Sequence, residues 1–299
     1  MEYILETEGL TKFYGDEAVV NNAKLSIKKG EIYGLLGENG AGKTTLMKML
    51  TTLTKPSRGK VRLFGKELEE NSHLLLQVGT MIETPVFYNS LSAEENLRIH
   101  CRYRNVGLGE IDEYLNMLGI YDHRKKSVKQ FSLGMKQRLG IARSIIGNPK
   151  LLILDEPING LDPTGIKEIR ELLLYLKKEK KTTIVISSHI LNEIEQIAEK
   201  IGFMSKGILY EEIEIEDIHK SVARFYEIKI NHIEIQTAKL EKLFSVVDIV
   251  KNTVKISAAN LRDTDAIKIL INNDIEFTEF KSSGDNLEDY YMNTISDER

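Results

Sequence analysis

The chain has 299 residues, 41% of them hydrophobic and 29% charged, with a formal net charge of −4. This suits one large α/β domain plus a small one, and gives no basis for broad nucleic-acid binding, which favours a strongly basic surface. The lone Cys101 excludes an internal disulfide framework, fits a reducing compartment and reads as a half-buried small apolar residue.

No apolar run approaches the roughly 18 residues of a membrane span. The N-terminal Met1-Glu2-Tyr3-Ile4-Leu5-Glu6 is acidic where a signal peptide is basic and then apolar. A cytoplasmic protein is expected, one whose membrane work goes through a partner.

In chain order, residues 3–8 and about 18–27 alternate as strands, joined through Phe13-Tyr14-Gly15-Asp16, where Gly15-Asp16 is a turn signal. Tyr14 has two readings: it stacks on a base, since every base offers a π-face, or it packs on its own sheet. The apolar run Ile32 to Leu36 leads into Gly37-Glu38-Asn39-Gly40-Ala41-Gly42-Lys43-Thr44-Thr45. This fits G-x-x-x-x-G-K-[ST], the phosphate-binding P-loop, between a predicted strand and a helix with Leu46, Met49, Leu50 and Leu53 on one face. The glycines let successive N–H groups turn inward to phosphate oxygens, and the helix aims its positive end at the same place. Lys43 is expected to reach the β- and γ-phosphates of a nucleoside triphosphate, and the Thr44 hydroxyl to hold Mg²⁺.

Lys55-Pro56-Ser57-Arg58-Gly59 ends that helix, and Val61 to Phe64 reads as a strand. Val78 to Glu83 is a further short strand ending at a carboxylate. Ser92-Ala93-Glu94-Glu95 is a capping box, followed by helical patterning from Asn96 to about Arg104 and from Glu110 to Leu118. Ser132 and Gly134 open a helix with Leu139, Ala142, Ile145 and Ile146 inward. They are either an anion seat or ordinary helix-start residues. Leu151 to Leu154 is a strand buried on both faces, and Asp155 and Glu156 follow at its carboxyl end, where open α/β sheets bind ligands. One carboxylate can bind Mg²⁺ while the other polarises a water; the bland alternative is a pair of solvated turn acids.

The turn Asn159-Gly160-Leu161-Asp162-Pro163 precedes a helix over 164–179. Thr182 to Ile186 is the next buried strand and delivers Ser187-Ser188-His189. A lone histidine is often structural, but one at a strand end beside a phosphate site is a candidate sensor of the γ-phosphate. A helix to about Lys200, a hairpin over 201–212 and an acidic linker over 213–223 follow. The tail reads strand (226–232), helix (237–244), strand (246–250), strand (253–257), helix (263–272), strand (275–280), then a helix over 285–295 carrying Leu287, Tyr290, Tyr291 and Ile295. The βαββαβ order is the split-βαβ, ferredoxin-like pattern, and it carries no motif for chemistry.

Taken together and in this order, the P-loop, Ser132-x-Gly134, Asp155-Glu156, Leu161-Asp162 and His189 resemble the ATPase subunit of ABC transporters over residues 1 to about 215. The resemblance implies an α/β P-loop NTPase domain over 1–215, with a helical subdomain over about 86–148. The small α+β ferredoxin-like domain then spans 216–299. It implies ATP and Mg²⁺ as cofactors. Tyr14 matches the adenine-stacking aromatic and residues 37–45 match Walker A. Asp155 matches the Mg²⁺ ligand, Glu156 the general base, and His189 the γ-phosphate contact. Asp162 matches the D-loop that meets the partner protomer. Ser132 and Gly134 match the signature that completes the ATP site of a second copy, which implies a head-to-tail homodimer.

Two departures stand out. The usual Leu-Ser-Gly-Gly-Gln signature reads Phe131-Ser132-Leu133-Gly134-Met135 here, and Glu83 takes the place of the Q-loop glutamine. A carboxylate at 83 can still bind Mg²⁺, but its added charge needs the metal or a nearby cation to offset it. With the Asn159-Gly160-Leu161-Asp162-Pro163 D-loop, these features look like the bacitracin and lantibiotic self-protection exporters. That subgroup implies integral membrane permease subunits as partners, no nucleic acid, and a place on the inner face of the cell membrane held through the permease. Ribosome- or DNA-directed relatives fit less well, because the chain has one ATPase domain and no sustained heptads between Lys43 and Phe131.

Overall fold

A computed structural model describes residues 2–217, 224–231, 233–257 and 263–284. β1 (Tyr3–Tyr14) turns at Gly15 into β2 (Glu17–Ala23), and β3 (Ser26–Lys28) returns to pair with the start of β1. β4 (Ile32–Leu36) delivers the phosphate-binding motif to α1 (Lys43–Leu50). β5 (Arg58–Leu63) and β6 (Lys66–Glu67) complete an antiparallel sheet in the order β2-β1-β5-β6.

β7 (Val78–Met81), the helical segment α2 (Ala93–Arg104) and α3 (Ile111–Met117), α4 (Leu133–Ile145) and β8 (Leu151–Leu154) come next. α5 (Pro163–Lys180), β9 (Thr183–Ser188), α6 (Leu191–Glu195), β10 (Lys200–Ser205) and β11 (Ile208–Glu214) close the first unit. The second sheet runs β11-β10-β4-β9-β8-β7, and β10, β4, β9, β8 and β7 are parallel. β9 therefore sits between the P-loop strand and the strand that ends at Asp155. This is why residues far apart in sequence meet at the carboxyl ends of adjacent strands.

The core of this unit fills the space between the two sheets. Leu5, Leu10 and Leu63 from the antiparallel sheet meet Tyr33, Leu35 and Ile153 from the parallel one, with Leu46, Met47, Met49 and Leu50 of α1 between them. Each such side chain taken from water contributes about 1.5–3 kcal/mol before entropy is counted. On the other face of β4, Gly34 allows α6 to approach: a Cβ there would lie 2.2 Å from Ile194 Cγ2.

Several expectations shift. Leu53 does not share the inward face of α1, because the helix stops at Leu50, Thr52 has a φ of 59° and Leu53 is 65% exposed. Cys101 is fully buried rather than half-buried. β7 stops at Met81, two residues short of Glu83. The predicted helix to Lys200 is only α6, since β10 already begins at Lys200. The capping box forms as read: Ser92 Oγ accepts from the Glu95 amide and Glu95 Oε2 accepts from the Ser92 amide.

The chain divides into two compact units, Met1–Ile213 and Glu214–Arg299. In the second, β12 (Arg224–Ile230), α7 (Ile233–Leu243), β13 (Ser245–Val250), β14 (Thr253–Ser257), α8 (Asp263–Asn272) and β15 (Phe277–Gly284) follow in order. The sheet is antiparallel in the order β13-β14-β12-β15, the strand order of the split-βαβ pattern. Tyr226, Ile228, Ile230, Val254, Ile256, Leu240 and Leu270 form its core. α7 begins at Ile233, before the expected 237, because the alternation in Ile233-Glu234-Ile235 imitates a strand period while the segment is helical. The predicted helix over 285–295 and most of the predicted linker lie outside the described residues.

Candidate active site

The P-loop is held in a narrow slot. A Cβ on Gly37 would lie 2.2 Å from the Met204 carbonyl on β10. One on Gly42, whose φ is 103°, would lie 2.5 Å from the Val19 carbonyl on β2. Only glycine satisfies both the close approach and the left-handed backbone. The loop then lines a concavity with Val19, residues 38–45 and Glu156.

Lys43 opens α1 and is 5% exposed. Its Nζ donates to the Gly37 carbonyl at 2.5 Å and the Glu38 carbonyl at 3.2 Å, and lies 3.3 Å from Glu156 Oε1. The two carbonyls take protons of the ammonium, and Glu156 Oε1 meets its charge as an ion pair.

Asp155 follows the fully buried β8 and is itself 5% exposed. Its Oδ2 accepts from Thr44 Oγ1 at 2.7 Å and its Oδ1 from Ser187 Oγ at 2.6 Å. Ser187 Oγ also accepts from the Glu156 amide at 2.9 Å. Glu156 has a φ of 46°, costly for a residue with a side chain, so its neighbours must hold it there. Gln137 does so from the other side, donating from Nε2 to the carbonyls of Glu156 and Pro157 at 3.1 and 3.0 Å. Glu156 Oε2 is 2.9 Å from His189 Nδ1, while Oε1 accepts no hydrogen bond. Just beyond, Ser188 donates to Glu193, whose carboxyl is pushed up by burial. The result is a carboxylate between a buried ammonium and an imidazole, at the mouth of a loop shaped for an anion.

Glu83 has left the strand, has a φ of 62° and is ion-paired with Lys48 Nζ at 2.6 Å. Lys48 is the nearby cation that its charge calls for. The contact described for Glu83 is thus with α1 and not with Thr44 or Asp155. Among the described residues no cluster of three His, Cys, Asp or Glu could hold a metal by itself.

Tyr14 is 53% exposed at the tip of the β1–β2 hairpin, with Lys12 Nζ 5.2 Å from its ring centroid. The same hairpin brings Val19 against the P-loop, while Tyr14 lies outside that concavity. Ser132 caps α4, its Oγ accepting from the Met135 amide at 3.2 Å, and Asp162 caps α5 by accepting from the Gly165 amide at 3.2 Å. Ser132 and Gly134 do not join their own chain's P-loop lining. They lie instead beside the D-loop: a Cβ on Gly160 would come 3.2 Å from Leu133 Cδ2, and one on Gly134 3.2 Å from Leu161 Cδ2. The unusual Leu133 stays 58% exposed, with its tip over Gly160.

Sequence reading missed the roles of Lys48, Ser187 and Gln137. Ser187 was visible as a hydroxyl at a strand end; nothing in the chain's order marks Lys48 or Gln137. No helix among the described residues is long and apolar enough to cross a membrane.

A family model described as ABC transporter matches residues 20–159. The bacitracin transport ATP-binding protein BcrA of Enterococcus faecalis is 46% identical, over 99% of this chain and 97% of its own. The lantibiotic transport ATP-binding protein SrtF of Streptococcus pyogenes is 47% identical, over 68% of this chain and 88% of its own. A solved ATP binding subunit of an ABC transporter superposes with a TM-score of 0.65 at 29% identity, covering 72% of this chain and 92% of that one. The chain belongs to the ABC transporter ATP-binding proteins and is an ATPase of that family.

Proposed function

We propose that this ATPase drives a separate integral membrane permease that removes membrane-active peptide antibiotics of the bacitracin or lantibiotic type. What carries the substrate class is the 46% identity to a bacitracin transport ATP-binding protein along 99% of this chain, tail included. The geometry supports the ATPase chemistry. Glu156 lines the P-loop concavity, with Oε1 3.3 Å from Lys43 Nζ, so its carboxylate stands where a water drawn to the γ-phosphate would need a base. As that water's oxygen bonds to the γ-phosphorus, the bond to the β-phosphate oxygen breaks and ADP leaves with the electron pair. Lys43 and His189 offer positive charge and hydrogen bonds where negative charge builds up.

Thr44 Oγ1 and Asp155 form a pair of hard oxygen donors of the kind Mg²⁺ takes, so these two residues fit the ion. When bound, Mg²⁺ would neutralise phosphate charge. Glu83, held by Lys48, would need to exchange partners to join them. Because Ser132 and Gly134 stand apart from their own chain's P-loop, a second copy would supply them, closing two ATP sites head to tail. Asp162 would meet that copy, and Tyr14 would stack on adenine. The protein would sit on the inner face of the membrane through the permease.

The test is resistance. Sensitive cells receive the permease subunits with either the wild-type chain or Lys43→Ala. Bacitracin or lantibiotic resistance is expected with the wild type alone. Equal sensitivity of both strains to both peptides, despite ATPase activity of the wild type, would sink the substrate assignment.

A further inference from the structure

We infer that Gln137 is a positioning residue that aims the carboxylate of Glu156 from the helix bearing the signature segment; this rests on the reading of Glu156 as the base. Gln137 lies on α4, five residues after Ser132, and is 7% exposed. A buried amide needs partners, and this one finds them in two successive carbonyls, those of Glu156 and Pro157. Those carbonyls belong to the strained turn that presents the glutamate, where Glu156 has a φ of 46°. Ser187 holds the amide side of that residue and Gln137 the carbonyl side. With both ends of the peptide clamped, the side chain leaves the backbone toward Lys43 and His189.

Two further contacts make α4 and the segment after Glu156 one body. Arg138, the next residue, donates to Glu168 on α5 and to the Leu118 carbonyl at 2.8 Å. Leu133 lies over Gly160 and Leu161 over Gly134, each 3.2 Å from where a Cβ would stand. The helix that starts at Ser132 therefore grips the glutamate turn at Gln137 and the D-loop at its first turn. Displacement of the signature helix moves the base of its own chain, and Gln137 is the side chain that conveys it.

The experiment uses the full chain and two shape-preserving variants, Gln137→Met and Gln137→Glu, alone and combined with Glu156→Gln. ATP binding, steady-state turnover against ATP concentration, and thermal midpoint are measured. Both variants lose the paired donors. Each is expected to lower kcat about tenfold, two hydrogen bonds at about fivefold or less each, with ATP affinity and KM changed by less than about twofold. On the Glu156→Gln background the same change is expected to alter the residual rate by less than about twofold, because a residue that acts only by aiming the carboxylate has nothing left to aim. A merely structural role would multiply through both backgrounds. Losses that multiply, or kcat within about twofold of wild type in either folded variant, would overturn the proposal. Should Gln137→Met precipitate, Gln137→Glu carries the test. Unchanged turnover in Glu156→Gln itself would overturn the base assignment and this inference with it, whereas loss there together with silent Gln137 variants overturns this inference alone.

Discussion

Two glutamates stand at matching places in this sheet and do different things. Glu83 and Glu156 each lie two residues beyond the end of a parallel strand, β7 and β8, and those strands are neighbours. Each has a positive φ, 62° and 46°, and each is paired with a lysine of α1, Lys48 and Lys43. The surroundings separate them. In the first pair the side chains are 59% and 28% exposed; in the second, 20% and 6%. An exposed pair is screened by water and salt and is worth about 0–1 kcal/mol, while charges in a dry pocket interact far more strongly. The described contact of Glu83 is its lysine alone, at 2.6 Å; Glu156 faces Lys43 with Oε1 and the His189 imidazole with Oε2. Equal backbone placement thus yields a surface ion pair in one case and a candidate base in the other.

The largest expected effect comes from Glu156→Gln. Loss of a positioned base costs about 10²–10⁴-fold, so turnover should fall at least that far while equilibrium ATP binding persists and ATP-bound pairs accumulate. A Glu83→Gln chain that lost as much turnover, with the isolated protein, would erase the distinction.

The lysines give the next contrast. Lys43→Ala should weaken ATP binding by roughly 10- to 100-fold, the worth of about 1.5–3 kcal/mol of charge-assisted hydrogen bonding. Lys48→Ala should stay within about twofold, and calorimetric titration with ATP compares them directly. Ser187→Ala removes a shared hydroxyl from Asp155 and from the Glu156 amide. At about 1 kcal/mol for each of the two hydrogen bonds, turnover should drop about thirtyfold, and an unchanged kcat would show that Glu156 needs no fixing from that side. The smallest effect is on folding: breaking the Glu83–Lys48 pair with Lys48→Met should cost less than about 1 kcal/mol in urea titration, and less still in high salt. A larger cost would mean that Glu83 is held by more than its lysine.

The legible parts of the molecule were those written contiguously. The P-loop declared itself because its strand, glycines, lysine and threonine are consecutive. Asp155 and Glu156 declared themselves because four apolar residues deliver them. The ββ hairpin β13–β14 and α8 in the tail were equally plain from period and turns. What the chain's order hid were partners set by sheet topology. Ser187 reaches Asp155 across 32 positions through the insertion of β9 between β4 and β8, Gln137 reaches Glu156 across 19 from α4, and Lys48 of α1 reaches Glu83 beyond β7 across 35. Leu133 was readable as a departure from the signature, but Gly160 becomes its neighbour only after folding.

The fit of Ile194 over Gly34 bears on tempo. With room for less than a methyl group between α6 and the P-loop strand, the helix that follows His189 is packed directly on the sheet at Gly34. A response of His189 to the departing phosphate is then confined to its own rotation and the few residues around it. Rotamer hops of a partly exposed side chain belong to the picosecond-to-nanosecond range, so any such response of His189 is fast and local.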